Sequence, residues 1–218
     1  MLDFSILTNN IDMYLEGFKY TVMSSVIALI GSFILGVILA VMRIAPIRIL
    51  NWIGSAFVEF VRNIPLVLIA FIFYFALPVI GITLNGFVAG TVTLTVYTAA
   101  FIAEVIRAGI LSVAKGQLEA ARSSGLTYVQ AMYYVVLPQA MKIVIPPLGN
   151  QFLNLVKNSS ILGIIAGADL MYQGDLISTK TFVTFDVYIF VGMFYLILTI
   201  PLSMLVRYLE KRLAKEAV

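Results

Sequence analysis

The chain has 218 residues, of which 61% are hydrophobic and 11% are charged, and its formal net charge is +3. Because an ordinary soluble domain carries about 25% charged residues, this composition excludes a typical soluble protein and predicts an integral membrane protein. The sequence contains no cysteine and no histidine, which excludes disulfide scaffolds, Cys/His metal sites and Ser-His triads. It also lacks the glycine-rich phosphate loop that ends in Gly-Lys-Ser or Gly-Lys-Thr, so we do not expect the chain to hydrolyse ATP itself.

Five apolar segments are long enough to cross a bilayer, which requires roughly 20 mainly apolar residues per helix. The first is bracketed by Lys19 and Arg43, and because acidic residues precede it, we expect it to be retained rather than cleaved as a signal peptide. Helix breakers near Pro78 and Gly81 separate the second from the third, and a polar stretch at 169–184 separates the fourth from the fifth. The predicted spans are about 17–43, 51–77, 86–109, 142–167 and 185–208.

The basic residues lie mostly on one side of the predicted spans. Cytoplasmic loops hold an excess of Lys and Arg, and here that rule places the N-terminus outside and the C-terminus inside. Most segments on the predicted outer side are acidic instead, with Asp3, Asp12, Glu16, Asp169 and Asp175 among their residues. The net positive charge therefore indicates membrane topology rather than nucleic-acid binding.

The connection between the third and fourth spans is too long for a simple turn. Residues 117–124 are rich in helix-forming residues, and Gly125 suits the left-handed end of a helix. Thr127 and Gln130 have the spacing of a capping box that opens a second helix. Pro138 lies where this second helix is expected to end or kink.

This connection, at about 112–139, resembles the EAA loop of ABC importer membrane subunits. The shared pattern is Glu-Ala-Ala, three residues, Gly, nine residues, an aliphatic residue, one more residue and Leu-Pro. The matching residues are Glu119, Ala120, Ala121, Gly125, Leu137 and Pro138, and Val135 stands where isoleucine is usual. The resemblance implies a type I importer permease fold whose cytoplasmic coupling helix docks on a separate ATPase subunit.

Three further segments resemble the permeases of histidine, glutamine and arginine importers. They are residues 61–66 (Val-Arg-Asn-Ile-Pro-Leu), 98–110 and 146–152 (Pro-Pro-Leu-Gly-Asn-Gln-Phe). Asn63 and Ile64 depart from the usual Gly and Thr, so the resemblance says least about the identity of the substrate. It covers the chain from about residue 15 onward and implies a single permease domain over residues 1–218 in the plasma membrane.

The resemblance also implies the partners of the chain. These are a second permease, either a copy or a homologue, two ATPase subunits and an extracytoplasmic amino acid binding protein. It implies no cofactor in this chain, because ATP and Mg are bound by the ATPase. We therefore predict a non-enzymatic subunit that moves a polar amino acid into the cytoplasm by alternating access. A gradient-driven secondary transporter is the alternative, although the inverted repeat common in that class is not evident in the sequence.

Glu104 is the first candidate for a substrate site, because an ionisable residue within a span is costly and often functional. It shares a helix face with Tyr97 and lies one turn from Arg107. Two interpretations remain open: its carboxylate binds the ammonium or cationic side chain of an amino acid, or it forms an internal pair with Arg107. Glu59 and Arg62 have the same spacing, and there the internal pair is favoured.

Prolines provide the second indication, since helices broken within a membrane expose backbone groups to a cavity. Pro65 is expected to interrupt the second span, and Pro146 with Pro147 the fourth, a packing kink being the alternative. The further candidate substrate-binding residues are Asn63, Pro65, Leu66, Asn150, Asn154 and Asp169. Amides also join helices in membranes, and Asp169 has the alternative of a solvated loop charge. The acidic outer segments and Glu104 together favour a basic cargo such as arginine or histidine.

Overall fold

The computed structural model describes the backbone of residues 2–215 and the side chains of residues 2–212. Over that range it consists of helices and contains no β-strand, which confirms the all-α prediction. The helices are α1 (Phe4–Asn9), α2 (Ile11–Ile44), α3 (Arg48–Arg62), α4 (Leu66–Phe71), α5 (Gly86–Ser112), α6 (Lys115–Ser123), α7 (Tyr128–Ala131), α8 (Leu137–Asn158), α9 (Leu170–Thr181) and α10 (Phe185–Lys215). Two π-helical turns, Ile72–Ala76 and Met132–Val136, and two 3-10 turns, Leu77–Ile80 and Ser159–Ile165, extend them.

Within residues 2–215, four helical segments are long and apolar enough to cross a membrane. They are Ile11–Ile44, Gly86–Ser112, Tyr128–Ile165 and Phe185–Arg212, with mean hydropathies of 2.7, 1.6, 1.2 and 2.3 in their most apolar windows. The segment predicted as a single span at 51–77 consists of two helices bent by 105° to each other, and the pair makes a fifth span if it is counted as one.

The bend between α3 and α4 lies at Pro65, as the sequence predicts. Proline has no backbone N–H to donate and its ring excludes the preceding helical turn. Helix α3 accordingly ends at Arg62 with Asn63 as its C-cap, and Pro65 takes an extended conformation (φ −57°, ψ 137°) before α4 begins.

The predictions that other prolines end or interrupt a helix are wrong. Pro146 and Pro147 lie inside α8, which continues without interruption from Leu137 to Asn158. Pro138 does not end its helix, because the π-helical turn before it lets the helix run from Tyr128 to Ile165. A π turn inserts one extra residue, so the helix accommodates a ring that would otherwise clash with the preceding turn. The fourth membrane helix therefore grows directly out of the loop that resembles the EAA loop.

Helix α5 lies at the centre of the bundle. In its most apolar window 61% of the residues are buried, whereas the corresponding fraction for α10 is 17%. It packs closely against α2, where a Cβ added to Gly36 would lie 2.6 Å from Cγ2 of Ile102. Side chains on α5 are thus the ones best placed to link several helices.

The polar stretch 169–184, expected to be an outer loop, contains helix α9. Asp169 starts this helix by accepting hydrogen bonds from the backbone N–H groups of Met171 and Tyr172, both at 3.1 Å. The helix packs on the N-terminal part of α2, since Thr21 Oγ1 accepts a 3.0 Å hydrogen bond from the Leu170 N–H. Helix α9 has a mixed polar and apolar sequence, so a prediction based on hydropathy does not recognise it.

Candidate substrate site and coupling segment

Glu104 forms the centre of an ion cluster that draws on three helices. Its carboxylate accepts hydrogen bonds from Arg107 Nη2 on α5 (2.7 Å) and from Arg43 Nη1 on α2 (2.5 Å). Arg62 on α3 approaches it as well, with Nη1 3.5 Å from Glu104 Oε2. Both carboxylate oxygens therefore face guanidinium groups.

A second carboxylate closes the cluster at its outer edge. Glu59 Oε1 lies 3.2 Å from Arg43 Nη2 and 3.7 Å from Arg62 Nη1. The Arg43 side chain is 6% exposed, whereas that of Glu59 is 53% exposed, so the cluster runs from the interior towards the surface. Arg62 also lies over the ring of Phe101, at 5.6 Å from its centroid, a favourable cation–π distance.

The internal pairs between Glu104 and Arg107 and between Glu59 and Arg62 are both present, as one interpretation of the sequence expected. Sequence reasoning missed Arg43, which bridges the two pairs. The cluster holds three guanidinium groups and two carboxylates, so its formal charge is +3 − 2 = +1. Both oxygens of Glu104 already accept hydrogen bonds from guanidinium groups. In this arrangement the carboxylate would therefore not favour a cationic amino acid over a neutral one.

Four of the predicted site residues lie at or near the bend between α3 and α4. The bend itself contains Asn63, Pro65 and Leu66, and Tyr97 lies on the face of α5 that the bend covers. Tyr97 packs half-buried beside Phe101, with ring centroids 4.9 Å apart. Asn63 is exposed and donates a 2.7 Å hydrogen bond to the carbonyl of Glu59. Asn63, Pro65 and Leu68 line an open groove of about 630 Å³, while Leu66 packs inward against a buried apolar cluster.

Asn150 and Asn154 lie together on an exposed face of α8. Asn150 Nδ2 donates to the Pro146 carbonyl at 3.4 Å and to Glu210 Oε1 at 3.5 Å. Among the described residues neither amide hydrogen-bonds to the Glu104 cluster, so one chain does not bring the predicted site residues into a single pocket.

Asp169 is fully buried, so it is neither a solvated loop charge nor open to a ligand in this arrangement. Besides capping α9, it accepts a 3.5 Å hydrogen bond from the Tyr195 hydroxyl. Burial raises the pKa of the Asp169 carboxyl to about 6, although its hydrogen bonds to the backbone act in the opposite direction. These contacts assign it a structural role at the start of α9.

The segment of α6 and α7 has the geometry that the sequence predicts. The N–H of Leu126 donates to the Ala121 carbonyl (3.2 Å) and that of Gly125 to the Arg122 carbonyl (3.1 Å), the two bonds of a Schellman motif. Gly125 has a φ of +91°. The capping box is complete, since Thr127 Oγ1 accepts from the Gln130 N–H and Gln130 Oε1 accepts from the Thr127 N–H.

The EAA residues differ in their exposure. Glu119, Ala120, Gly125 and Pro138 are exposed, whereas Ala121 is 7% exposed and packs within the chain. Ala121 therefore holds α6 in place, and the exposed residues are the ones available to a partner. A 3.3 Å hydrogen bond from Gln139 Nε2 to Gln117 Oε1 ties α6 to the base of α8.

A helical membrane bundle with a partly buried ion cluster and an exposed helix–turn–helix segment fits a transporter subunit better than a soluble enzyme. The chain belongs to the family of binding-protein-dependent transport system inner membrane components, whose model matches residues 13–215.

Two curated relatives and one solved structure illustrate the similarity. The chain is 68% identical over 214 residues to the probable glutamine ABC transporter permease protein GlnM of Bacillus subtilis (strain 168), with 98% of this chain and 99% of that protein covered. It is 35% identical over 213 residues to the glutamine transport system permease protein GlnP of Escherichia coli (strain K12), with 97% of each covered. A crystal structure described as an amino acid ABC transporter with histidines matches at a TM-score of 0.91 and 34% identity, with 97% of this chain and 99% of that chain covered.

These similarities confirm the predicted resemblance to permeases of polar amino acid importers and the type I importer permease fold. The chain is the non-catalytic membrane subunit of an ABC importer and resides in the plasma membrane. Nucleotide is bound by separate ATPase subunits, and an importer of this family also works with a substrate-binding protein.

Proposed function

We propose that the chain translocates glutamine into the cytoplasm by alternating access, driven by ATP hydrolysis in a separate subunit. The similarity to GlnM of B. subtilis carries this proposal, because it spans nearly the full length of both proteins. The bound substrate is then a zwitterion with a neutral amide side chain.

The ion cluster supports a neutral cargo over a basic one. From the sequence alone, Glu104 indicates a basic substrate such as arginine or histidine, because a carboxylate attracts a cation. With Arg43, Arg62 and Arg107 around it, the cluster has a formal charge of +1 and would repel a second cation. A basic amino acid is the second candidate, since the similar crystal structure is described as containing histidines.

We infer that a second permease subunit completes the site. Asn63 and Pro65 border an open groove, and Asn150 and Asn154 lie on an exposed face of α8. Amides supply both donors and acceptors to a zwitterion and its side-chain amide. A substrate site near the middle of the membrane at the interface of two bundles would use these faces together.

We further infer that α6 and α7 contact the ATPase. Glu119, Ala120 and Gly125 are exposed there, and the second half of the segment continues directly into the fourth membrane helix. Movement of α6 would consequently be transmitted to α8 as a rigid body.

We infer that α3 and α4 together form the second of five spans, with the N-terminus outside and the C-terminus inside. The absence of cysteine makes single-cysteine labelling clean. Exposed Thr179 and Gln117 are the test positions: Thr179→Cys should react with an impermeant maleimide in intact cells, and Gln117→Cys only after permeabilisation. The reverse pattern would reject this orientation.

The substrate proposal is tested by ATP-driven uptake into proteoliposomes that contain the permease with its ATPase and binding protein. Labelled glutamine should enter, and a tenfold excess of unlabelled glutamine should compete better than arginine, histidine or glutamate. Asn63→Ala should raise the KM for glutamine, whereas Asn9→Ala, an exposed amide on α1, should not. Preferential uptake of arginine or histidine would replace glutamine with the second candidate.

A further inference from the structure

A cleft opens where the ends of α2 and α5 meet α6 and the start of the fourth membrane helix. Its volume is about 310 Å³, and Arg43, Arg107 and Lys115 line it together with the phenol of Tyr128. The lining residues include three basic side chains and no carboxylate. Glu104 pairs with both Arg43 and Arg107, and Glu59 pairs with Arg43, from outside this wall. These two carboxylates lower the positive charge of the cleft without cancelling it.

Arg43 is the most deeply buried of the three basic residues in this wall. Its side chain is 6% exposed, and its Nη1 and Nη2 donate to Glu104 and Glu59. Arg107 and Lys115 therefore present the accessible cationic groups of the cleft, and such groups suit a phosphate or carboxylate oxygen.

A second, apolar cavity of about 280 Å³ adjoins the first. All thirteen of its lining residues are apolar, and they come from α2, α5, α8 and the π turn before α8. Ile44, Ile110 and Met132 line both cavities, so the basic cleft continues into the apolar groove. The basic end lies at the last turns of the two spans α2 and α5, and the groove follows them towards the middle of the bundle.

We propose that this cleft and groove bind one anionic phospholipid. The phosphate contacts Arg107 and Lys115 at the membrane surface, and an acyl chain lies in the groove between α2, α5 and α8. Anionic headgroups bind basic pockets between membrane helices. An acidic peptide from a partner would satisfy the basic end but would leave the wholly apolar groove empty, so the lipid accounts for both halves.

The test compares lipid retention by the full-length chain, delipidated in detergent and titrated with phosphatidylglycerol or phosphatidylcholine, using native mass spectrometry. One phosphatidylglycerol should be retained per chain in preference to phosphatidylcholine. Lys115→Gln should lower that retention about fivefold, and Lys211→Gln, a matched change at an exposed residue outside the cleft, should not. Ala140→Leu, which narrows the groove, should lower it as well.

Four results would overturn the proposal. The first is equal retention of the two lipids, and the second is an unchanged affinity in both Lys115→Gln and Ala140→Leu. The third is displacement of the lipid by glycerol 3-phosphate at equal concentration, because a ligand without acyl chains would then suffice. The fourth is a disulfide that forms between two chains carrying Lys115→Cys and prevents phosphatidylglycerol from binding. It would show that a second copy of the chain, rather than a lipid, occupies the cleft.

Discussion

The exposed segment of α6 and α7 and the partly buried cluster around Glu104 are stabilised by different kinds of contact. The segment is stabilised by contacts between near neighbours in sequence, such as the hydrogen bond from Leu126 to Ala121. The cluster joins residues as distant as Arg43 and Glu104, 61 positions apart. Local contacts keep a surface element in shape without burying it, whereas the cluster depends on the packing of three helices.

This difference separates stability from function at the two places. Changes in the cluster should affect the folded state first, because a charge loses its partner in a buried setting. Changes in the segment should leave the bundle folded and affect its interaction with the ATPase.

The largest effect is expected for Glu104→Gln, which leaves Arg43 and Arg107 facing each other without the central carboxylate. Removing one partner of a buried ion pair costs about 3–5 kcal/mol, and because Glu104 is 22% exposed, we expect about 3 kcal/mol. Glu59→Gln, at a side chain that is 53% exposed, should cost under about 1 kcal/mol. Thermal unfolding in detergent measures the stability of both variants. Equal losses of unfolding free energy would show that Glu104 is no more important to the cluster than the exposed Glu59.

The next effect is expected in the segment, from Gly125→Ala. No atom lies within 4 Å of the added Cβ, but the φ of +91° is unfavourable for alanine by about 1–2 kcal/mol. Gly116→Ala is the matched control, since it also has open space and lies inside α6. Gly125→Ala should lower ATP-driven uptake while the chain still inserts, and Gly116→Ala should not. Similar uptake by the two variants would mean that the turn geometry is not needed for coupling.

A smaller effect is expected at Asp169, which extends the comparison to a second buried acid. Its pKa of about 6 in the folded protein lies above the ordinary value of 3.8, so the folded state binds the proton more tightly than the unfolded state. Stability is consequently highest below about pH 4 and falls as the pH rises to about 6. Asp169→Asn keeps a capping oxygen and should remove this dependence, whereas Asp169→Ala should cost about 1 kcal/mol through the lost cap.

Melting temperatures of the wild type and Asp169→Asn between pH 4 and pH 7 check this prediction. The difference between them should grow in favour of the Asn variant as the pH rises. A constant difference across that range would contradict the raised pKa.

The smallest effect on stability is expected for Glu119→Gln, because this exposed side chain has few contacts to lose. Its unfolding free energy should change by less than about 0.5 kcal/mol. Glu16→Gln, another exposed acid, is the control. Co-purification of the ATPase should weaken for Glu119→Gln alone, and a loss of stability without a loss of ATPase binding would reverse the roles assigned to the two regions.

The sequence predicted features that depend on neighbouring residues. The capping box of Thr127 and Gln130, the left-handed Gly125 and the break at Pro65 all follow from backbone chemistry within a few positions. The Glu104 pair with Arg107 belongs to the same group, since one helical turn separates them.

Features that depend on distant packing were missed. Arg43 gave no local signal, because a basic residue at the end of a membrane helix usually faces the interface, and only packing brings it to Glu104. The π turn that lets the helix pass Pro138 and the capping role of Asp169 were missed for a different reason. Both are local features, since the cap accepts from the N–H groups of Met171 and Tyr172, but hydropathy does not encode them. An Asp directly before an apolar run is the signal that could have indicated the cap.

The most direct test of the central claim is the energy source for glutamine uptake in proteoliposomes that contain the chain, its ATPase and its binding protein. Uptake should require internal ATP and should persist when ionophores dissipate the ion gradients. Uptake that proceeds without ATP and stops with the ionophores would contradict the account and favour a gradient-driven transporter.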